Sequence, residues 1–578
     1  MARIVHIKIE SFRGIRLLEW IPSRRVNCLI GPGDSCKTTI LDAIELALTP
    51  RSYLIADDSD FFDLDVEKAA KITVTLAGLP AEFKADDRYG LHLRGWNEDL
   101  QTLEDEPGDG LEDALSIRVT IDSSLEPRWS LFNERIGDAA EDPPALRYKD
   151  AKALVPSRLG SYADRHLGWG RQSILTRFEE AQSPAAGILA KIGRDARSAF
   201  SKENPDVFKE TVAKAKVAAT KFAVHMRGEY KAELDIQGLS ISSGGISLHD
   251  DGLALRNLGT GSSRLVVSAL QYDGGDTITI VDELEHGLEP HRIARLVRYL
   301  KKERKNPDTQ VFLTSHSPVV IREAGAEDIH TVRSKTGTVT VSAVTQAAVD
   351  LDQAQRHVRA SPDAFLARRI IVGEGRTELG LLRGFDAMWT VAGRDSFAFL
   401  GVAAVDGTGN SSATALARHL LKLGYDALVL LDRDDPAPEA AVAAVKAMGG
   451  RVVEWPDDCS TEERMFLDLP WPTLQSLVAY AEECVGSEAV LARINNVMAE
   501  NGLAAIPDLS LPDGLDTAGF RWTLGKAAKG KKNQKKPGWF KEISRGERVA
   551  EIVFAALVNI PNQPFAKGVA DIRGWVDG

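Results

Sequence analysis

Apolar runs of strand length recur along the chain, and most of them stop on a glycine or an acid. Val26-Asn27-Cys28-Leu29-Ile30 stops at Gly31, Thr277-Ile278-Thr279-Ile280-Val281 at Asp282-Glu283, and Val311-Phe312-Leu313 shortly before His316. Further on, Ile370–Val372, Ala398–Val405, Ala427–Leu431 and Val452–Trp455 repeat the pattern at intervals long enough for a helix. Runs that are continuously apolar rather than alternating are buried on both faces, as in a parallel sheet covered by helices. The chain is therefore expected to be α/β in two stretches, one ending near Asp350 and one beginning near Phe365. Between them in character, Ser173–Gln182 and Asp206–Phe222 carry helical spacing without sustained heptads. A helical insert over residues 157–232 is expected there rather than a long coiled coil. The acidic stretch Glu98–Asp109 reads as a solvated loop.

At 578 residues the chain exceeds what a single core supports, so several domains are expected. Hydrophobic residues make up 44% and charged residues 27%, the balance of a globular protein in water. No apolar stretch approaches the roughly 20 residues that cross a bilayer, and Met1-Ala2-Arg3-Ile4-Val5 lacks a secretory pattern. A cytoplasmic protein without membrane contact is the expectation. Cys28, Cys36, Cys459 and Cys484 show neither zinc nor disulfide spacing. The net charge of -12 does not mark a nucleic-acid binder, but the charge is uneven: Arg521–Arg545 holds nine Lys or Arg against one acid. Lys526, Lys529, Lys531, Lys532, Lys535 and Lys536 lead there to Gly538-Trp539-Phe540-Lys541.

Gly31-Pro32-Gly33-Asp34-Ser35-Cys36-Lys37-Thr38 sits between a buried strand and the apolar helix Ile40–Leu48, which is the setting of a P-loop. Backbone N–H groups and a helix N-terminus cradle phosphate oxygens there, with Gly31 and Gly33 shaping the loop, Lys37 reaching the β and γ phosphates and Thr38 on magnesium. Cys36 stands where that pattern has glycine, which leaves open whether bound ATP is hydrolysed or only held. Downstream, Asp282 suits a second magnesium contact and Glu283 the polarising of water, and His316 closes another buried strand. Leu258-Gly259-Thr260-Gly261-Ser262-Ser263-Arg264 precedes a helix. These four motifs, in this order, resemble ATP-binding-cassette (ABC) ATPases, whose histidine senses the γ-phosphate and whose signature loop caps ATP across a dimer. Ile7–Ile15 resembles the opening strand and turn of RecF-like and SMC-like ATPases; Arg13 would either approach nucleotide or cap a solvent-facing turn.

The second stretch carries acids at its strand ends. Glu374 follows Ile370–Val372, and Glu378 falls one helical turn later; Asp432 and Asp434 follow Ala427–Leu431. Residues two apart on a strand share a face, so both carboxylates of Asp432-Arg433-Asp434 are expected to reach one ion. Carboxyl ends of parallel strands are where open α/β sheets bind ligands. Asp406-Gly407-Thr408-Gly409-Asn410 adds a Gly-rich turn whose N–H groups could face a phosphodiester. Glu462 or Glu463 completes the set, with Glu462 preferred. Lys541, between bulky neighbours, is the candidate to offset charge on a phosphate, and the basic segment before it suits a DNA backbone. No tyrosine stands among these acids as a topoisomerase nucleophile would.

Glu, Gly-rich turn and Asp-x-Asp follow the order of the Toprim domain. An ABC ATPase joined to a C-terminal Toprim domain resembles the OLD (overcoming lysogenization defect) nucleases, and the late Glu and Trp-Phe-Lys look most like its class 2 members, which include the GajA subunits of Gabija antiphage systems. The resemblance implies an ABC-type ATPase domain in residues 1–156 and 233–350, the insert of residues 157–232 as a helical dimerisation region, and a Rossmann-like Toprim domain in residues 365–578. It implies a metal-dependent DNA endonuclease with two Mg2+ or Mn2+ ions held by Glu374, Glu378, Asp432, Asp434 and Glu462, assisted by Lys541. ATP with Mg2+ would be bound by Gly31, Gly33, Lys37, Thr38, Asp282, Glu283 and His316 and would regulate the nuclease. A homodimer or higher homo-oligomer is expected, and a UvrD-like helicase is the partner that class 2 members work beside. The competing expectation is an SMC/RecF-like, ATP-switched DNA-binding protein with a non-catalytic Toprim scaffold.

Overall fold

The computed structural model describes residues 2–49, 56–135, 137, 144–159, 167, 173, 175, 185–203, 208–221, 227–232, 246–273, 277–302, 309–435, 437–530 and 538–578. Most strands of the first half join one thirteen-stranded mixed sheet. At its parallel end Val26–Ile30 lies between Gln310–Thr314 and Ile329–Lys335; Gln310–Thr314 pairs onward with Ile278–Val281, and that strand with Ser157–Leu159. Val26–Ile30, Ile278–Val281 and Gln310–Thr314 are buried at every residue, as their unbroken hydrophobicity requires. The other end is antiparallel, built from Arg3–Phe12, Ile15–Trp20, Ala70–Ala77 and Glu112–Ile121. The helix Lys37–Leu48 covers the sheet with Ile40, Leu41, Ile44 and Leu48.

Three expectations are corrected here. Ser157–Leu159 is a strand of the large sheet, so the boundary at residue 157 falls inside that sheet and not at the start of an insert. Glu98–Asp109 is not a plain solvated loop: it carries the strand Thr102–Glu104, Glu98 pairs with the buried guanidinium of Arg3 at 2.7 Å, and Asp105 lies 3.6 Å from Arg94. Arginines on the sheet face give those acids partners that sequence spacing does not reveal. Ala398–Val405 is extended only over Val402–Asp406, because Gly401 takes a positive φ and Phe399 turns out to solvent. Within the expected insert the described helices are Ala185–Glu203 and Lys209–Lys221; most of Ser173–Gln182 lies outside the described residues.

The second half forms a four-stranded, wholly parallel sheet in the order Val402–Asp406, Arg369–Gly373, Asp426–Leu431, Arg451–Glu454. The helix Arg376–Val391 leaves its first strand, and the late helix Ile543–Leu557 packs along it at backbone distance. A Cβ on Gly380 would stand 2.3 Å from the Ile543 carbonyl, and one on Gly546 would stand 2.7 Å from that of Thr377. Glycine at both positions lets the helix Ile543–Leu557, which Lys541 precedes by two residues, lie against the start of Arg376–Val391. The two sheets share one apolar cluster, running from Val281 and Leu313 through Ile321, Val358 and Phe365 to Val372 and Leu431. No helix among the described residues is long and apolar enough to cross a membrane.

Candidate functional site

The loop after Val26–Ile30 wraps the ammonium of Lys37, which donates to the carbonyls of Gly31 (3.2 Å) and Pro32 (2.8 Å) and to Ser35 Oγ (3.1 Å). Burial pushes its pKa down to about 8. A cation held in a hole without a full anionic partner is what a phosphate group satisfies, so these residues fit a nucleotide. Cys36 precedes the helix with φ 69°. The backbone thus keeps the left-handed turn that glycine usually supplies, at a cost of about 1–2 kcal/mol. Its Sγ is directed at the Gly14 carbonyl, 3.5 Å away.

Thr38 Oγ1 lies 3.2 Å from Asp282 Oδ1, and Thr314 Oγ1 donates to the same oxygen at 2.7 Å while accepting the Glu283 N–H at 2.8 Å. The His316 N–H donates to Glu285 at 2.6 Å, and burial and then Lys37 lower the pKa of its ring, which stays neutral at neutral pH. Arg13 turns away from the loop to Asp42 (2.6 Å) and Asp60 (2.8 Å), tying the opening turn to the first helix.

Two arginines escaped the sequence reading. Arg158 reaches Asp42 at 2.6 Å, Glu45 at 2.7 Å and Asp282 at 3.4 Å; burial works against its charge, but these acids outweigh it and the pKa is raised. The helix expected after Leu258–Arg264 begins within it, at Thr260, so Arg264, only 1% exposed, lies in the helix Thr260–Asp273, donates to the carbonyls of Asp282 and Glu283, each at 2.9 Å, and couples that helix to the Asp282 turn. Gly261 permits that approach: a Cβ there would stand 2.2 Å from the Gly287 carbonyl. The basic residue at the end of the Gly-Ser stretch was the available signal for Arg264; Arg158 had none, since its partners come from the distant helix Lys37–Leu48 and the turn after Ile278–Val281.

At the carboxyl ends of the second sheet, four acids converge. Glu374 accepts the Asp432 N–H at 3.0 Å, Glu378 accepts the Gly375 N–H at 3.0 Å, Asp432 accepts from Thr461 N (2.9 Å) and Oγ1 (2.7 Å), and Glu462 accepts from Thr377 Oγ1 at 3.3 Å. Burial, then Glu462 and Glu374, push the Glu378 pKa up to about 7; burial, then Glu378, Glu374 and Glu462, raise that of Asp432. Lys541 faces all four, and Glu462 contributes most to its raised pKa. Glu462 is fully buried, and its Oε2 has no hydrogen-bond partner.

As the side chains stand, no group of three or more His, Cys, Asp or Glu among the described residues is arranged to hold a metal ion. The donor chemistry nonetheless fits a cation, because buried carboxylates repel one another and the Glu462 Oε2 beside them has no hydrogen-bond partner.

Asp434 does not join these four. The strand ends at Leu431, so its alternation no longer governs the chain at Asp434, whose carboxylate pairs with Lys529 instead. Glu463 caps its own helix through the Ser460 N–H (2.8 Å) and pairs with Lys526 at 2.5 Å, so the cluster contains Glu462 and not Glu463. The Gly-rich turn also departs from expectation. Gly407 and Gly409 donate their N–H groups to the carbonyls of Gly373 (2.8 Å) and Glu374 (2.7 Å), clamping the neighbouring strand end instead of facing outward. Asn410 Nδ2 holds the Asp432 turn through the carbonyls of Asp432 (3.2 Å) and Asp435 (2.7 Å). Lys531, Lys532, Lys535 and Lys536 lie outside the described residues.

Residues 103–322 match the family described as "AAA domain, putative AbiEii toxin, Type IV TA system". The chain carries an ATPase domain. The match takes in Asp282, Glu283 and His316 and leaves the Gly31–Thr38 loop outside; the sheet unites them by placing Val26–Ile30 beside Gln310–Thr314. No curated protein matches. Among solved structures, similarity extends to the Smc head domain with an extended coiled coil bound to the C-terminal domain of ScpA, derived from Pyrococcus furiosus (13% identity, 62% of this chain and 98% of that one, TM-score 0.33). It extends also to the SMC head domain from Thermotoga maritima (16% identity, 59% and 98%, TM-score 0.29) and to the recombination mediator protein RecF-ATPrS in the RecFOR pathway (11% identity, 59% and 98%, TM-score 0.31).

Proposed function

We propose that this protein is an ATP-binding, metal-dependent DNA endonuclease whose chemistry resides at Glu374, Glu378, Asp432 and Glu462, in a Toprim-type domain over residues 365–578. The observation that carries this reading is the fully buried Glu462, whose Oε2 has no hydrogen-bond partner although it stands among Glu374 and Asp432, each just past a parallel strand, and Glu378 in the first turn of a helix. A divalent cation bound there supplies Lewis-acid polarisation of a phosphoryl oxygen and a water of lowered pKa. The protein's part is positional. Thr461 and the Asp432 N–H fix the carboxylates of Asp432 and Glu374, Asn410 holds the turn that carries Asp432, and Lys541 offers an ammonium to the charge that builds on a scissile phosphate. Lys526 and Lys529 bring positive charge beside the cluster, as a nucleic-acid backbone requires.

The ATPase domain regulates the nuclease, in a homodimer or larger homo-oligomer; antiphage defence beside a helicase is the setting the sequence resemblance supplies. The test is cleavage of supercoiled plasmid with Mg2+ or Mn2+, with and without ATP, by the unaltered protein and by Asp432→Ala. Metal-dependent nicking or linearisation that disappears in Asp432→Ala is the expected result; equal cleavage by both proteins overturns the assignment.

A further inference from the structure

The antiparallel end of the large sheet has two unlike faces. Ile7, Ile9, Ile72, Val74, Ile117 and Val119 turn to the core that also holds Ile40 and Ile44 of the first helix. The residues between them turn the other way, and the register puts Lys8, Thr73 and Arg118 in one cross-strand row and His6, Thr75 and Ser116 in the next. Such a second face usually meets water. Here it is enclosed: Thr75 and Ser116 are fully buried and bonded to each other at 2.8 Å, and Arg118 is 6% exposed. The strand Arg94–Asn97 adds Arg94, also buried, with Nη1 3.4 Å from Ser116 Oγ. His6, Lys8, Thr73, Arg94 and Arg118 line a cavity of about 600 Å3, a size at which proteins take small molecules.

Depth separates the charges around this cavity. Arg94 and Arg118 are buried, whereas Glu19 and Glu134 have side-chain exposures of 64% and 70%, and Glu10 is held by Lys8 at 3.3 Å. Arg118 is fixed in direction: its Nε donates to Thr73 Oγ1 at 2.8 Å, and its guanidinium lies 3.2 Å from the centre of the Phe132 ring. Arg94 is served less well. Its Nε has no hydrogen-bond partner, and the acids facing its guanidinium, Asp105 at 3.6 Å and Glu134 at 4.0 Å, stand too far for a bond. Burial lowers its pKa against the pull of both acids. Buried charges are screened less than charges in water, so the arginines set the potential at the floor and the acids act at the rim. The planar fork of a guanidinium matches the oxygens of a phosphate or a carboxylate.

We propose that this cavity binds the oxyanion group of a small molecule, a phosphate or a carboxylate, on the guanidinium groups of Arg94 and Arg118. Lys8, in register with Thr73, supplies a third cation nearer the solvent. The occupant lies on the sheet face turned away from the helix Lys37–Leu48, and none of the lining residues belongs to the loop Gly31–Thr38 or to the acids of the second sheet. The site is thus a third one, and it stands whether or not the protein cleaves DNA.

The test is equilibrium dialysis of labelled inorganic pyrophosphate and, separately, labelled citrate against full-length Lys37→Ala without divalent metal, so that the nucleotide loop does not contribute. One equivalent of pyrophosphate per chain is expected if the group is a phosphate, and one of citrate if it is a carboxylate. Adding Arg94→Met should weaken that binding by about tenfold or more. Adding Thr102→Glu, which places a negative charge at the exposed mouth of the cavity, should weaken it severalfold. Failure of both probes to bind overturns the proposal. So does binding that Thr102→Glu or a folded Arg94→Met leaves unchanged, because the anion then sits elsewhere on the chain. Thr102 is exposed, so its variant decides even where Arg94→Met fails to fold.

Discussion

The two sites of this protein are opposites in charge. At the loop Gly31–Thr38 a buried ammonium lacks a full anion and its pKa falls to about 8; at the second sheet Glu378 is buried beside Glu462 and Glu374 and its pKa rises to about 7. Each is strained in the direction its ligand would relieve. A buried charge without compensation is costly, so these groups are better explained by what binds them than by the stability of the empty fold. The neighbouring ion pairs make the contrast sharper: Arg158 with Asp42 and Lys526 with Glu463 are mutually satisfied and ask for nothing.

The strongest way to break the comparison is to discharge one site and read both. Asp432→Ala is expected to lower plasmid cleavage by about 100-fold or more, with ATP affinity within about twofold of the unaltered protein; Lys37→Ala is expected to abolish ATP binding while leaving Mn2+ uptake at the acid cluster intact. Fluorescent-nucleotide titration and dialysis measure both, and loss of both activities in either variant would show that the sites are not separable. Lys541→Ala should slow cleavage by roughly 10- to 100-fold without changing the Mn2+ count, a split between rate and binding that a merely structural lysine would not give.

Packing provides the next test. Gly546→Ala forces a Cβ towards the Thr377 carbonyl and should cost about 1–3 kcal/mol in chemical denaturation. Cleavage should fall with it, because Lys541 stands two residues before that helix, and ATP affinity should hold. The smallest effect is also the most diagnostic. ATP binding near pH 8 should take up a fraction of a proton as phosphate restores the charge of Lys37, whereas Mn2+ binding near pH 7 should release a fraction as Glu378 ionises. Calorimetry in buffers of different ionisation enthalpy reads both signs.

The sign for stability follows from the same group. Glu378 has a folded pKa of about 7 against an ordinary 4.5, so its contribution is fully present below pH 4.5 and is lost as pH rises through 7. Without metal, the melting temperature should therefore drop between these values by an amount worth on the order of 2 kcal/mol, and Mn2+ should restore it. Glu378→Gln should flatten that dependence.

What the sequence made legible was local. A Gly-rich turn between an apolar strand and an apolar helix announces its own geometry, and acids at the ends of parallel strands are carried to one edge of the sheet. Glu374 and Asp432 were therefore placed together from spacing alone. Asp434 was not, because the strand's alternation stops at Leu431 and the distant Lys529 decides where the carboxylate turns. Arg158 and Arg264 find their partners across strands and loops remote in the chain, and the Gly407 and Gly409 N–H groups are claimed by an adjacent strand end. The antiparallel end of the large sheet was missed for a related reason. It pairs Arg3–Phe12 with Ala70–Ala77 and that strand with Glu112–Ile121, registers between strands far apart in the chain that no local pattern records.

The apolar cluster that joins Val281 to Leu431 bears on how this protein can be taken apart. Cutting the chain between Asp350 and Phe365 would open that shared interior on both sides, so each piece should precipitate or be digested rather than survive as a working half. In a melt, the ATPase sheet and the acid-bearing sheet should lose their structure in one step.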